Sequence, residues 1–181
     1  MKIETSRFGT VELMEDDIIE FSEGLLGFGN IRKFVLLDDP DDEIFAWLQS
    51  CENADIAFPV LEPELFTDNY RINLSKNDLA SLSLASMEGT RAFTIITIPE
   101  DATQMTANLK APIVINVKKK LARQIVLQDN TLAIKEPIFS KLQQRVVQNP
   151  NVSIKSQALD WGVAVSLPPV GPHHRGLDLD K

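Results

Sequence analysis

The chain is poor in the residue types from which most catalytic and metal sites are built. It has one cysteine, Cys51, and two histidines, His173 and His174, both close to the C-terminus. One cysteine cannot form an internal disulfide, and no serine or cysteine triad of the usual kind can be assembled without a histidine elsewhere. Two adjacent histidines are too few for a metal site. Cys51 has no cationic neighbour in the sequence and is followed by Glu52. Because no positive charge stabilises the thiolate, we expect an unreactive thiol. We expect neither a metal nor another cofactor.

Long apolar runs are also missing. No stretch approaches the roughly 20 apolar residues that a membrane-spanning helix needs. The first four residues, MKIE, lack the basic and then apolar layout of a signal peptide. These absences predict a soluble protein of the cytoplasm that does not bind membranes.

Positive charge is in deficit. The 181 residues include 18 Lys and Arg against 26 Asp and Glu, for a net charge of −8. Because nucleic-acid binding requires a basic face that displaces counterions from the phosphates, we expect no direct nucleic-acid binding. An acidic protein can still oppose nucleic-acid binding by docking on a basic partner.

What the chain does contain is a series of short β-branched and aromatic segments separated by turn residues. This pattern predicts a mostly β, compact, antiparallel barrel-like domain. The strands are expected at residues 3–5, 11–13, 18–21, 33–38, 44–50, 56–61, 93–98, 113–117, 123–127 and 131–135. Two short helices are expected, one capped by Ser75 with Asp78 three residues on, and one at 139–148. We assign residues 1–148 to the barrel and 149–181 to a C-terminal extension that is mobile, most clearly beyond Ser166, where prolines accumulate.

Two turn regions contain residue types that are common in binding sites, but the spacing of these residues does not match the corresponding motifs. Residues 38–43 carry five carboxylates, but Pro40 breaks the calcium-loop pattern, so a solvated acidic turn is expected. Residues 24–29 have glycines in the order G-x-x-G-x-G, which is not a dinucleotide fingerprint. We expect a turn there whose leucines and Phe28 cover the sheet.

The segment 56–66 has features of an interaction surface. Pro59 lies within the predicted strand, which favours an edge or bulged strand where a partner could add its backbone. Glu62 and Glu64 follow, ahead of Phe66. Two nearby carboxylates occur in glycosidases, but sequence neighbours cannot show that they face each other across a cleft. The alternatives are solvent-facing charge and a charged rim beside an apolar anchor, Phe66.

The segment 98–116 joins two apolar strands and mixes apolar and polar residues without a clean period. Pro99 ends the first strand, and Glu100 and Asp101 suit the first turn of a short helix. In one interpretation the segment is a connector whose Met105 and Leu109 pack on the sheet. In the other it is a partner surface that includes Pro99 and Glu100, with Met105 as an adaptable apolar contact and Asn108 and Lys110 as polar contacts.

Several runs, in this order and spacing, resemble the FliW family of flagellar assembly factors. They are DIIEF at 17–21, FSEGLLGF at 21–28 (with Ser22 where proline is common), FVLLD at 34–38, FAWLQS at 45–50, PED at 99–101 and MTANLKAPIVIN at 105–116. The resemblance spans about residues 2–135 and implies a barrel-like fold without enzymatic activity. It also implies two protein partners: the RNA-binding translational regulator CsrA, and flagellin, whose binding releases CsrA.

The resemblance leads to one mechanistic expectation and leaves two alternatives. We expect the protein to antagonise RNA binding by CsrA partly through charge, with Glu62 and Glu64 near the RNA path. One alternative is an enzyme with a cleft in the barrel, and the other is a dedicated flagellin chaperone that does not bind CsrA.

Overall fold

A computed structural model describes residues 1–148 and 162–165, which form twelve strands and two α-helices. The strands are β1 (Lys2–Thr5), β2 (Gly9–Glu12), β3 (Ile19–Phe21), β4 (Lys33–Asp38), β5 (Ala46–Ser50), β6 (Ala57–Leu61), β7 (Thr90–Thr97), β8 (Thr106–Ala107), β9 (Ile113–Asn116), β10 (Leu121–Gln124), β11 (Glu136–Pro137) and β12 (Val163–Ala164). The helices are α1 (Lys76–Ser81) and α2 (Phe139–Gln148).

Seven of these strands close into a barrel. Their order is β7, β6, β5, β4, β3, β10 and β9, and β9 pairs back onto β7 from Thr90↔Asn116 to Phe93↔Ile113. All of these neighbours are antiparallel except β3 and β10, which are parallel. Closure pairs strands that would otherwise be exposed edges. The expected mostly β, barrel-like fold is confirmed.

The barrel interior follows from residue alternation along the strands. On β4, Phe34 and Leu36 belong to the interior cluster, whereas Val35 and Leu37 face the opposite side. Phe34 also packs edge-to-face on Phe21, with ring centroids 5.1 Å apart. Because side chains alternate across a strand, a continuous apolar run such as FVLLD must be covered on both faces.

Three hydrophobic clusters lie outside the barrel, and one of them covers the outer face of β4. The hairpin of β1 and β2 covers Val35 and Leu37 with Ile3, Phe8, Val11 and Leu13. Helix α2 packs Leu142 against Met105 and Ile138, and the segment around α1 packs Leu82 on Val114. The barrel therefore carries additional structure on three parts of its outer face.

Both helices occur where the sequence predicts them. Ser75 Oγ accepts a hydrogen bond from the Asp78 amide at 3.0 Å, and the Asp78 carboxylate accepts one from the Ser75 amide at 3.2 Å. This reciprocal capping box starts α1, and α2 spans 139–148 as expected.

Three local predictions are wrong. Residues 131–135 form no strand, because Asp129 Oδ1 accepts from the Thr131 amide and turns the chain, and pairing starts only at β11, beside β8. The acidic turn at 38–43 is not fully solvated: Asp39 and Asp42 are buried, and their carboxylates accept hydrogen bonds from the backbone amides of Asp41, Ile44 and Phe45. In the glycine-rich turn Leu25 is buried, but Leu26 is 55% exposed.

Part of the C-terminal extension is docked on the barrel. Within it the structure describes residues 162–165, and β12 pairs in parallel with the end of β4. Residues 149–161 and 166–181, including His173 and His174, lie outside the described residues, and the expectation for them stays a prediction.

Within the described ranges, no helix is long and apolar enough to cross a membrane. The same residues contain no group of three or more His, Cys, Asp or Glu side chains placed to hold a metal ion.

Candidate partner-binding surface

The barrel wall opens at a seam between β6 and β7. The two strands pair only at Val60↔Ile95 and Leu61↔Thr94, although β7 runs on to Thr97 and pairs there with β8 on its other side. The next position on β6 is Pro59, which has no amide hydrogen to donate. The strand as a whole is not an edge, since β5 pairs along it, but its first half has an open side. Proline placement therefore explains where the seam lies.

An apolar groove of about 240 Å³ lies at this seam. Its most exposed apolar side chains are Ile134, at 64%, and Leu26, at 55%. Phe28 and Phe58 lie deeper and pack edge-to-face, with centroids 5.5 Å apart. The groove, called the seam groove below, is lined by Leu25, Leu26, Phe28, Phe58, Ile95, Thr97, Asn108, Gln124, Ile134 and Lys135. Exposed aliphatic side chains around an aromatic floor, with a few polar groups at the rim, are typical of protein-binding surfaces.

The glycine-rich turn places Leu26 at the groove. Gly24 has φ +67°, and a Cβ on it would meet the Phe28 carbonyl oxygen at 2.6 Å, so the turn requires glycine there. The Leu26 amide donates to Gln124 Oε1 at 2.9 Å, and Gln124 Nε2 donates to the Ala111 carbonyl at 3.1 Å. Gln124 thus fixes the turn against the end of the 98–116 segment.

The start of the 98–116 segment is exposed. Pro99 and Glu100 both face solvent, followed by a 3₁₀ turn at Ala102–Gln104. Asp101 caps this turn: its carboxylate accepts from the Thr103 hydroxyl at 2.6 Å and from the Thr103 amide at 3.0 Å, and these bonds lower the pKa of Asp101. The expected short helical turn is therefore present, and Pro99 and Glu100 are available to a partner.

Met105 is not available. It is 0% exposed and packs with Ile138 and Leu142 in the cluster beneath α2. The expectation that Met105 is an adaptable surface contact is wrong for this structure, because the pairing of β8 with both β7 and β11 turns it inward. The connector interpretation is correct for Met105 and for Leu109, which is 6% exposed.

Asn108 and Lys110 are half-buried and serve the loop itself. Asn108 Oδ1 accepts from the backbone amides of Lys110 and Ala111, both at 3.1 Å. Lys110 Nζ donates to the Asp129 carbonyl at 2.9 Å. Asn108 therefore has a structural role in the loop. It also lines the seam groove, where the predicted contact with a partner would be made. Partner binding by either residue stays a prediction.

Glu62, Glu64 and Phe66 lie beyond the other end of β6, in three different environments. Glu62 Oε1 is 3.1 Å from Arg91 Nη1, and its side chain is only 17% exposed. Glu64 is exposed and lines a shallow groove with Lys141 and Arg145 of α2. Phe66 is 3% exposed, so it is a core residue and not the accessible anchor that we expected.

The residues that form the seam groove were missed by sequence reasoning, apart from Asn108. Leu26 and Ile134 are apolar residues in turns, and no periodicity marks them as exposed. The one available signal was Pro59, because a proline within a strand indicates an unpaired side.

The comparisons with known proteins agree with this architecture. The family model described as FliW protein matches residues 2–138. A flagellar assembly factor FliW of Bdellovibrio bacteriovorus is 63% identical over 167 residues, covering 92% of this chain and 95% of the relative. One of Thermoanaerobacter pseudethanolicus is 38% identical over 144 residues, covering 79% of this chain and 96% of the relative.

A solved structure supports the same assignment at the level of the fold. The crystal structure of a flagellar assembly factor FliW superposes with a TM-score of 0.71 at 34% identity, covering 76% of this chain and 96% of that one. Together with the matched family model and the relatives, this similarity shows that the chain belongs to the FliW family.

Proposed function

We propose that the protein is a flagellar assembly factor of the cytoplasm that acts by binding proteins and catalyses no reaction. Its partners in this proposal are CsrA and flagellin, and it antagonises the binding of RNA by CsrA until flagellin displaces CsrA. The protein thereby couples the level of flagellin to its translation. The relatives' names support the assembly role, and the resemblance supports the partners.

The seam groove is the observation that carries a binding function. Leu26 and Ile134 are each more than half exposed and line one groove together with Phe28 and Phe58, and exposed apolar side chains that cluster in this way mark interaction sites more often than isolated ones do. Burying one such aliphatic side chain in an interface contributes about 1.5–3 kcal/mol at most. The groove therefore offers two aliphatic side chains that a partner segment could bury.

Exchange between two partners needs only a difference in affinity. Each 1.4 kcal/mol of preference for flagellin shifts the distribution about tenfold at equal concentrations. Partners that share the seam groove would exclude each other sterically, whereas partners on separate surfaces would need a conformational link.

Charge is the proposed second component of antagonism. A protein of net charge −8 lowers the positive potential of a basic partner and repels RNA within about 8 Å at physiological ionic strength. Glu64 is the exposed candidate for this role, since Arg91 offsets the charge of Glu62.

The direct test is binding of the full-length protein to purified CsrA and purified flagellin by calorimetry, followed by competition with labelled RNA. We expect both proteins to bind, RNA to be displaced from CsrA, and flagellin to reverse the displacement. Binding of flagellin alone would establish the chaperone alternative, and binding of neither would refute the proposal.

A further inference from the structure

The outer half of β4 carries a strand that belongs to the C-terminal extension. β5 pairs along one side of β4 from Phe34 to Leu37, while β3 covers the other side only at Lys33 and Phe34. This leaves an open edge at Leu37 and Asp38. β12 fills it, with Val163 opposite Leu37 and Ala164 opposite Asp38, and the Val165 amide donates to the Asp38 carbonyl at 2.7 Å.

The side chains of this strand alternate as an added edge strand requires. Val163 and Val165 are half-buried against the outer cluster that includes Phe8, Val11 and Leu37, whereas Ala164 is exposed. Beside them lies a depression of about 350 Å³, lined by Phe8, Thr10, Val11 and Glu12 of the hairpin. The edge therefore offers a backbone ladder and, at alternate positions, packing against an apolar cluster, which disfavours charged side chains at the positions of Val163 and Val165.

The contact is small and lies outside the part of the chain that defines the family. Among the described residues, two residue pairs and one further backbone bond hold the strand. The family model ends at residue 138, and the Thermoanaerobacter relative aligns over 96% of its own length with only 79% of this chain. Docking of 163–165 is thus an addition to the barrel, and a two-pair contact opens far more readily than the barrel does.

We propose that the outer edge of β4 is a strand-addition site, which the chain's own residues 163–165 occupy reversibly and which also binds, in trans, an uncharged extended peptide segment with β-branched residues at alternate positions. The extension competes for the site because it is tethered, and segments on short linkers reach effective concentrations on the order of millimolar. A partner segment binds when the extension is undocked.

The test uses the full-length protein and a labelled synthetic peptide with the sequence of residues 160–168. Two variants undock the native strand in different ways. V163D/V165D places charges against the outer cluster, and Val165→Pro removes the amide that donates to Asp38 without adding charge. Ala164→Ser is the matched control, because Ala164 is exposed. Circular dichroism and the thermal midpoint establish that each variant keeps its barrel.

We expect both undocked variants to bind the peptide at least tenfold more tightly than the wild type and Ala164→Ser do. A peptide with both valines replaced by aspartate should bind neither the wild type nor any of the variants. Equal affinity for wild type and variants, no binding to any chain, or equal binding of the aspartate peptide would overturn the proposal.

Hydrogen exchange on the wild type gives a second, variant-free measurement. We expect the Val165 amide to exchange by local opening, orders of magnitude faster than the core amide of Leu48, and to lose protection when millimolar peptide is added. Exchange of Val165 only through global unfolding would contradict reversible occupancy.

Discussion

The Arg91 guanidinium lies 3.1 Å from the Glu62 carboxylate, and both side chains are partly buried. Of the two glutamates expected to repel RNA, Glu62 is therefore locally neutralised. Glu64 is exposed, but Lys141 and Arg145 line the same shallow groove, together with Asp68. The local charge around Glu64 is close to balanced, so any contribution from this site to repulsion should be small.

Reversing this charge tests the electrostatic component. We expect Glu64→Lys to reduce RNA displacement from CsrA by on the order of twofold to fivefold at low salt, and by less at high salt, because exposed charge interactions are weak and screened. The measurement is RNA displacement alongside direct CsrA binding, with Glu88→Lys, at another exposed glutamate, as the control. Glu62→Lys is unsuitable, since it places two cations together. Displacement that is unchanged by the reversal and independent of salt would show that the block is steric or conformational.

The seam groove is tested by placing charge on its two most exposed apolar residues. We expect Leu26→Asp and Ile134→Asp each to weaken binding of a partner tenfold or more, because an unpaired carboxylate would be buried in the interface. The thermal midpoint should change little, since both side chains are exposed in the free protein.

Val147→Asp is the matched control for these variants, because Val147 is 70% exposed on α2 and does not line the groove. If Leu26→Asp, Ile134→Asp and Val147→Asp bind the partner with the same affinity, the seam groove is not the partner surface.

Asn108 provides a test of stability as well as of binding. Asn108→Ala leaves the amides of Lys110 and Ala111 without their acceptor, and we expect it to lower the free energy of unfolding by about 1–3 kcal/mol. Asn108→Asp keeps the acceptor oxygen and should be close to wild type in urea denaturation, and equal loss in both variants would place the cause elsewhere.

Cys51 should react slowly in the native protein. Burial and the neighbouring Glu52 raise the pKa of its thiol from 9.0 to about 11, so at pH 8 the thiolate fraction is about a hundredfold lower than in the unfolded chain. We expect alkylation by iodoacetamide at pH 8 to be slower by about that factor than in urea, and the native rate to rise until about pH 11. A native rate equal to the unfolded one would show that the thiol is not held in this environment.

The sequence by itself determined the elements whose signals are local. Strand β4 fills the expected 33–38, α1 follows the Ser75–Asp78 capping box, and the FliW runs indicated the family. Capping boxes and short sequence motifs are read within a few residues, so these signals can be recognised without knowing which distant segment packs against the element.

The tertiary structure decided which side of those elements faces a partner. Met105 is buried because β8 is held between β7 and β11, and Leu26 is exposed because Gln124 fixes its turn from about a hundred residues away along the chain. The docking of β12 likewise depends on where β3 stops along β4. Each of these outcomes rests on pairing between distant segments, and a local pattern of apolar and polar residues carries no information about which distant segment will cover it.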